Sequence, residues 1–120
     1  MIANSTLRIG LVGPCAAGKS TLAQGLDDAG YEVRQIAQEH SYVADMWYQI
    51  GKPDVLIYLD VSHATSIARR PQNFNRKEYD VQLDRLRHAR QHADLIIDTN
   101  NLSIEDVLKR TLSFLDQRLA

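Results

Sequence analysis

Apolar and polar positions along this 120-residue chain switch repeatedly between a period near two and a period near 3.6. Leu7-Arg8-Ile9-Gly10-Leu11-Val12 is a strand-like run. Residues 19–29 carry Leu22, Ala23 and Leu26 on one face, with Gly30 as a C-terminal stop, and predict a helix. Tyr31-Glu32-Val33-Arg34-Gln35-Ile36 mixes charge with β-formers, as an edge strand wet on one side does. Val43, Met46, Trp47 and Ile50 fall at helical spacing within residues 41–50, and Gly51 and Pro53 end that helix; Met46 and Trp47 read as core. Val55-Leu56-Ile57-Tyr58-Leu59-Asp60 is a continuous apolar run, expected to be a fully buried parallel strand. Ser62 caps a short helix through Arg70, Pro71 closes it, and residues 72–75 form a polar turn. Residues 76–91 predict a charged helix with Val81, Leu86 and Ala89 turned inward. Asp94-Leu95-Ile96-Ile97-Asp98 is a second strand expected to be buried. Ser103 and Asp106 resemble a capping box at the head of a last helix, whose apolar side is Ile104, Val107, Leu108, Leu112 and Leu115. The order β-α-β-α-β-α-α-β-α demands right-handed crossovers and a four-stranded parallel sheet covered on both faces, an α/β/α arrangement in three layers.

Between the first strand and the first helix stands Gly13-Pro14-Cys15-Ala16-Ala17-Gly18-Lys19-Ser20, which fits G-x-x-x-x-G-K-[ST] without a mismatch. The pattern resembles the phosphate-binding loop of the P-loop NTPases, here in the strand–loop–helix setting its mechanism needs. Backbone amides wrap a polyphosphate and the helix adds its positive end. Gly13 and Gly18 allow backbone angles and close approach that a side chain would block. Lys19 is placed for the β- and γ-phosphates, the Ser20 hydroxyl for Mg²⁺ and Thr21 for the α-phosphate. Cys15, the single cysteine, sits in an electropositive loop, where it reads first as a small tolerated residue. Alkylating it is expected to slow nucleotide binding through bulk.

Length and charge narrow the field. The chain reads as one domain over residues 1–120, with little material for a second site. A formal net charge of −1 offers no general attraction to nucleic acid or an anionic membrane. No run of apolar residues is long enough to span a bilayer. Residues 1–6 lack the basic and apolar regions of a signal peptide, and one cysteine allows no internal disulfide, so a cytoplasmic location is expected.

The chain resembles the nucleoside and nucleotide kinase branch of P-loop proteins. Three pieces carry the resemblance: the loop from Gly13 to Thr21; Pro53-Asp54-Val55-Leu56-Ile57-Tyr58-Leu59-Asp60-Val61 with the helix ending Arg69-Arg70, similar to the strand before the lid in thymidylate-kinase-like enzymes; and Ala93-Asp94-Leu95-Ile96-Ile97-Asp98-Thr99-Asn100-Asn101-Leu102-Ser103, similar to the last strand and capped helix of small kinases. The resemblance implies a three-layer P-loop NTPase fold that binds ATP, or another nucleoside triphosphate, with Mg²⁺. It implies a small phosphotransferase or NTPase, in which Arg69 and Arg70 begin a lid, Arg76 lies on its far side, and Thr99 and Asn100 wall the base. The kinases also place a substrate-binding region and a further central strand between the second strand and the Pro-Asp strand. Here one helix and two short turns fill that interval. A non-catalytic nucleotide-binding or interaction module, dimeric or with a protein partner, is therefore the alternative. The acceptor of a phosphotransferase is not named by any motif.

If Mg²⁺ serves chemistry, an acid must reach it. Asp60, ending an apolar strand, is the first choice and Glu39 the second; either suits a general base. The expected catalytic set is Lys19, Asp60, Arg70 and Arg76, with Ser20 and Asp60 on the metal. His88 and His92 stand four apart, a metal-compatible spacing with no third ligand evident, and read as a solvated face. His40 neighbours Glu39.

Overall fold

A computed structural model describes residues 7–69 and 75–119. Strand β1 (Arg8–Val12) leads through the loop into helix α1 (Lys19–Asp28). Strand β2 (Glu32–Gln35), a 3₁₀ turn (Gln38–His40) and helix α2 (Met46–Gly51) follow. Strand β3 (Val55–Asp60) precedes helices α3 (His63–Arg69) and α4 (Arg76–His92). Strand β4 (Leu95–Asp98) and helix α5 (Ile104–Leu119) complete the order.

The four strands form one all-parallel sheet in the order β2-β1-β3-β4. Ile9 pairs with Val33 on one side and Val55 on the other, and Ile57 pairs with Leu95. Pleating divides the core in two. Ile9, Leu11, Val55, Ile57 and Leu59 join Leu22 and Leu26 of α1 and Val107 and Leu115 of α5. Val12, Leu56 and Tyr58 join Trp47 of α2 and Leu86 and Ala89 of α4.

Four expectations change. β4, expected buried, is the outer strand. Among the described residues it pairs only with β3, Ile97 alone among its own residues is fully covered, and Ile96 is 42% exposed. The helix expected over residues 41–50 starts only at Met46. The Ser41 hydroxyl takes the Val43 N–H at 3.1 Å. Buried Gln38 donates to the Val43 carbonyl at 2.8 Å and accepts the Trp47 N–H at 2.8 Å. These side-chain bonds outcompete helix formation locally, so Val43 and Ile50 face outward while Trp47 is core. In α4 the buried stripe is Tyr79, Gln82, Leu86 and Ala89, and Val81 lies off it, exposed. Ile104, expected on the apolar side of α5, is exposed as well.

Caps follow the sequence more closely. Asn75 accepts the Glu78 N–H at 2.8 Å and Ser103 the Asp106 N–H at 3.1 Å; each such cap is worth about 1 kcal/mol. Gly30, beyond α1, takes φ +94°, the left-handed turn a glycine makes at least cost. Among the described residues no helix is long and apolar enough to cross a membrane.

Candidate functional site at the β1–α1 loop

The loop opens where β1 ends, beside the end of β3. A Cβ on Gly13 would collide with the Leu59 carbonyl oxygen, so only glycine lets the chain pass. Gly18, just before α1, lies at φ 101°, and Ala16 takes φ 66°. The left-handed region costs a residue with a Cβ roughly 1–2 kcal/mol, so Ala16 is held there by the turn around it. Ala17 N–H closes that turn on the Pro14 carbonyl at 3.2 Å. Buried Gln82 of α4 clamps it from outside: its Oε1 accepts the Cys15 N–H at 3.0 Å and its Nε2 donates to the Cys15 sulfur at 3.1 Å.

The first turn of α1 carries no side-chain cap. Among the described residues, the amide hydrogens of Ala16, Gly18, Lys19, Ser20 and Thr21 have no hydrogen-bond acceptor. Unsatisfied amides at a helix start, reinforced by the positive end of the helix dipole, form an anion-binding concavity. They border a hollow of about 380 Å³ shared with Gln35, Glu39, His40 and Arg69.

Lys19 folds back over the loop. Its Nζ donates to the carbonyls of Gly13 and Pro14 and, at 2.8 Å, to Glu39 Oε2. The side chains of this ion pair are only 12% and 6% exposed. Glu39 Oε1 is buried without a hydrogen-bond partner among the described residues. Buried carboxylates without partners are rare because stripping water from the charge is expensive. The Ser20 hydroxyl donates to Gln35 Oε1 at 3.1 Å at the end of β2.

A second hollow of about 490 Å³ adjoins the first. It shares Ala16, Ala17, Gly18, Thr21 and Arg69, and runs between α1 and the start of α5 past Thr99, Leu102 and Leu108. Arg69 spans the divide. It donates to the Ala16 carbonyl at 3.1 Å and to Thr99 through both its hydroxyl (3.1 Å) and its carbonyl.

The remaining sequence-predicted residues sit elsewhere. Asp60 borders a different depression with Tyr58, Tyr79 and Arg90. Its carboxylate accepts the Val61 N–H at 3.0 Å and lies 3.8 Å from Arg90. The acid beside Lys19 is Glu39. Asp60 nonetheless shapes its surroundings: burial first and then its charge push the Tyr58 and Tyr79 phenols above their ordinary value. Arg76 is exposed at the head of α4, paired with Asp80 at 3.0 Å and stacked over Tyr79. Arg70 lies outside the described residues. Asn100 is committed to structure, accepting the Ser62 N–H at 2.9 Å and donating to Asp98 at 2.6 Å. Thr99 does line the second hollow. His88 and His92 stack at 4.2 Å against Trp47, whose indole N–H donates to His88 Nδ1 at 3.0 Å.

Gln82 went unremarked in the sequence. Its signal was there: a polar residue between Tyr79 and Leu86 on the inward stripe of an amphipathic helix has to be satisfied by something. No protein-family model matches the chain, and no curated protein matches it.

Proposed function

We propose that this chain binds the polyphosphate of a nucleoside triphosphate, with ATP as the default, in a reduced three-layer P-loop fold of the kinase-like branch. The observation that carries the proposal is the set of open amides at Ala16 and from Gly18 to Thr21, ringed by Lys19 and an uncapped helix start. The Lys19 ammonium now uses loop carbonyls and Glu39 as acceptors, and phosphate oxygens would replace them. The base would lie in the second hollow, against Leu102, Leu108 and Thr99, with Arg69 at the junction of base and phosphates.

Mg²⁺ takes oxygen ligands and keeps several waters. The Ser20 hydroxyl fits that demand, and so does the unpartnered Glu39 Oε1, which displaces Asp60 as the preferred acid. The ion would supply charge neutralisation on the phosphates. The chain's own contributions are to position the phosphates, to exclude water along the buried Glu39 side, and to offer Glu39 as a proton acceptor for a hydroxyl or water.

A second reading, binding without transfer, draws on the sheet order. β2 lies directly against β1, leaving no place between them for a further strand and the acceptor-binding region beside it. The exposed rings of Tyr42 and Tyr48 and the nearby Ile50 suit a partner or a second copy.

The test is thermal shift with Mg·ATP, each variant read against its own ligand-free baseline. Ligand at 100 times its Kd adds about 2.7 kcal/mol, several degrees for this size. Lys19→Met is expected to lose the shift, and an undiminished shift in that variant would defeat the site assignment. Turnover assays with Mg·ATP and small hydroxyl compounds separate the two readings: binding without hydrolysis or transfer favours the second.

A further inference from the structure

Glu39 has more chemistry around it than a phosphate loop uses. The Cys15 sulfur, a Glu39 carboxylate oxygen and a His40 ring nitrogen all lie within 4.8 Å of one another. We infer that these three side chains form a site for a borderline divalent transition metal of the zinc class, set in the wall of the loop hollow.

The donor set argues for that class of ion. Thiolate and imidazole favour zinc and its neighbours, whereas Mg²⁺ and Ca²⁺ favour oxygen alone. In a tetrahedral zinc site the donors stand about 3.5 Å apart, as bond lengths of about 2.0–2.3 Å require. Closing from the present spread takes side-chain rotations of about an ångström. His40, its side chain 60% exposed and its Nε2 already 3.9 Å from Glu39 Oε2, has room to make them.

A second observation goes beyond the spacing of the three donors. Glu39 Oε1 is buried and has no hydrogen-bond partner among the described residues in a residue 5% exposed, which leaves one carboxylate oxygen open to a cation beside the one that Lys19 holds. Gln82 supplies the supporting shell: its Nε2 donates to the Cys15 sulfur at 3.1 Å and its other end fixes the Cys15 amide, orienting the thiolate as outer-shell partners of metal ligands do. On binding, the thiol proton leaves to solvent and the sulfur's lone pair goes to the metal. Three protein ligands leave one position for water.

Lys19 is the built-in competitor. Its ammonium sits 2.8 Å from Glu39 Oε2 and opposes a second cation there. The inference stands apart from nucleotide binding, since it is read with metal alone on the intact chain.

The experiment titrates the protein with Co²⁺ and Zn²⁺ without nucleotide, watching the thiolate-to-cobalt charge-transfer band and the heat of zinc binding, with folding verified by circular dichroism. One ion per chain is expected, with a charge-transfer band that zinc abolishes and Mg²⁺ does not. Cys15→Ser should remove the band, and His40→Ala should weaken zinc at least tenfold. Lys19→Met should tighten it. A titration with no stoichiometric binding overturns the site. So does binding that survives Cys15→Ser and His40→Ala yet disappears with His88→Ala, which would move the ion to the His88–His92 pair.

Discussion

The Lys19–Glu39 pair offers the most exacting check on the loop geometry. Lys19→Met removes the ammonium and leaves Glu39 6% exposed at its side chain. Among the described residues its Oε1 already has no partner, and its Oε2 loses the 2.8 Å bond, keeping His40 at 3.9 Å. Removing one member of a buried pair costs about 3–5 kcal/mol because the other charge stays buried and alone. Two bare oxygens put this variant near the top of that range. Glu39→Gln should cost less, about 1–3 kcal/mol, since Lys19 keeps the Gly13 and Pro14 carbonyls and an amide oxygen can stand in for the carboxylate. The double variant should therefore be less destabilised than the sum of the singles by about 1–3 kcal/mol. Urea unfolding of all four proteins measures this, with an unchanged slope showing that only stability moved. A domain of this kind has only about 5–15 kcal/mol to lose, so Lys19→Met is best measured in a stabilising osmolyte. Single losses below about 1 kcal/mol with strict additivity would mean that the pair is solvated and the loop differs from the one described.

Other substitutions probe separate parts of the fold. Gly13→Ala drives a methyl group into the Leu59 carbonyl; a loss of about 1–3 kcal/mol is expected, and an unchanged melting temperature would refute the close approach. Leu86→Ala should cost about 2–5 kcal/mol and Val81→Ala under about 0.5, because Leu86 is fully covered and Val81 is exposed; comparable losses would reject the inward face of α4. Burial, then Asp60, raises the Tyr58 phenol above its ordinary value of 10.0. The Tyr58 contribution to stability is therefore complete below pH 10, where both states keep the proton, and falls above it as the unfolded chain ionises first. Tyr58→Phe should flatten that alkaline decline in melts recorded on either side of pH 10, and an equally steep decline would exclude Tyr58 as its source. On the proposed nucleotide reading, Mg²⁺ should tighten ATP binding at least tenfold in calorimetry, and Glu39→Gln should shrink that factor; equal factors would release Glu39 from the role.

Legibility in the sequence divided along physical lines. The loop could be read because its chemistry is local: a glycine where the backbone must crowd Leu59 and another at a positive φ, then a lysine and a hydroxyl at the head of a helix. β3 could be read because a strand paired on both sides is apolar throughout. Choosing between Asp60 and Glu39 could not be settled that way. Which acid meets Lys19 depends on which strand lies beside β1, and both β2 and β3 do; the direction each chain takes after its strand decides the rest. Asp60 turns toward Arg90, while the 3₁₀ turn after β2 carries Glu39 inward. β4 misleads for a related reason. Its apolar residues match a central strand, yet the sheet ends with it. The helix expected over residues 41–50 shows periodicity losing to specific bonds, since Ser41 and Gln38 hold the chain open until Met46.

Sheet order and site chemistry are thus one problem. With β2 against β1, the segment after β2 has to cross the mouth of the loop, and that crossing buries Glu39 beside Lys19. The lysine's three donors are then matched by two carbonyls and a carboxylate. Any anion that recruits Lys19 must take it from Glu39, and the freed carboxylate then faces the anion in a poorly solvated pocket, where like charges repel strongly. On the proposed reading such an exchange is favourable only if a cation arrives with the anion. A magnesium-bearing triphosphate brings one, which makes the acid a means of preferring the metal complex over bare phosphate. The same logic explains why Glu39, rather than any exposed acid of α4, is where a softer ion would also lodge: it is the one carboxylate among the described residues with a buried oxygen still lacking a partner.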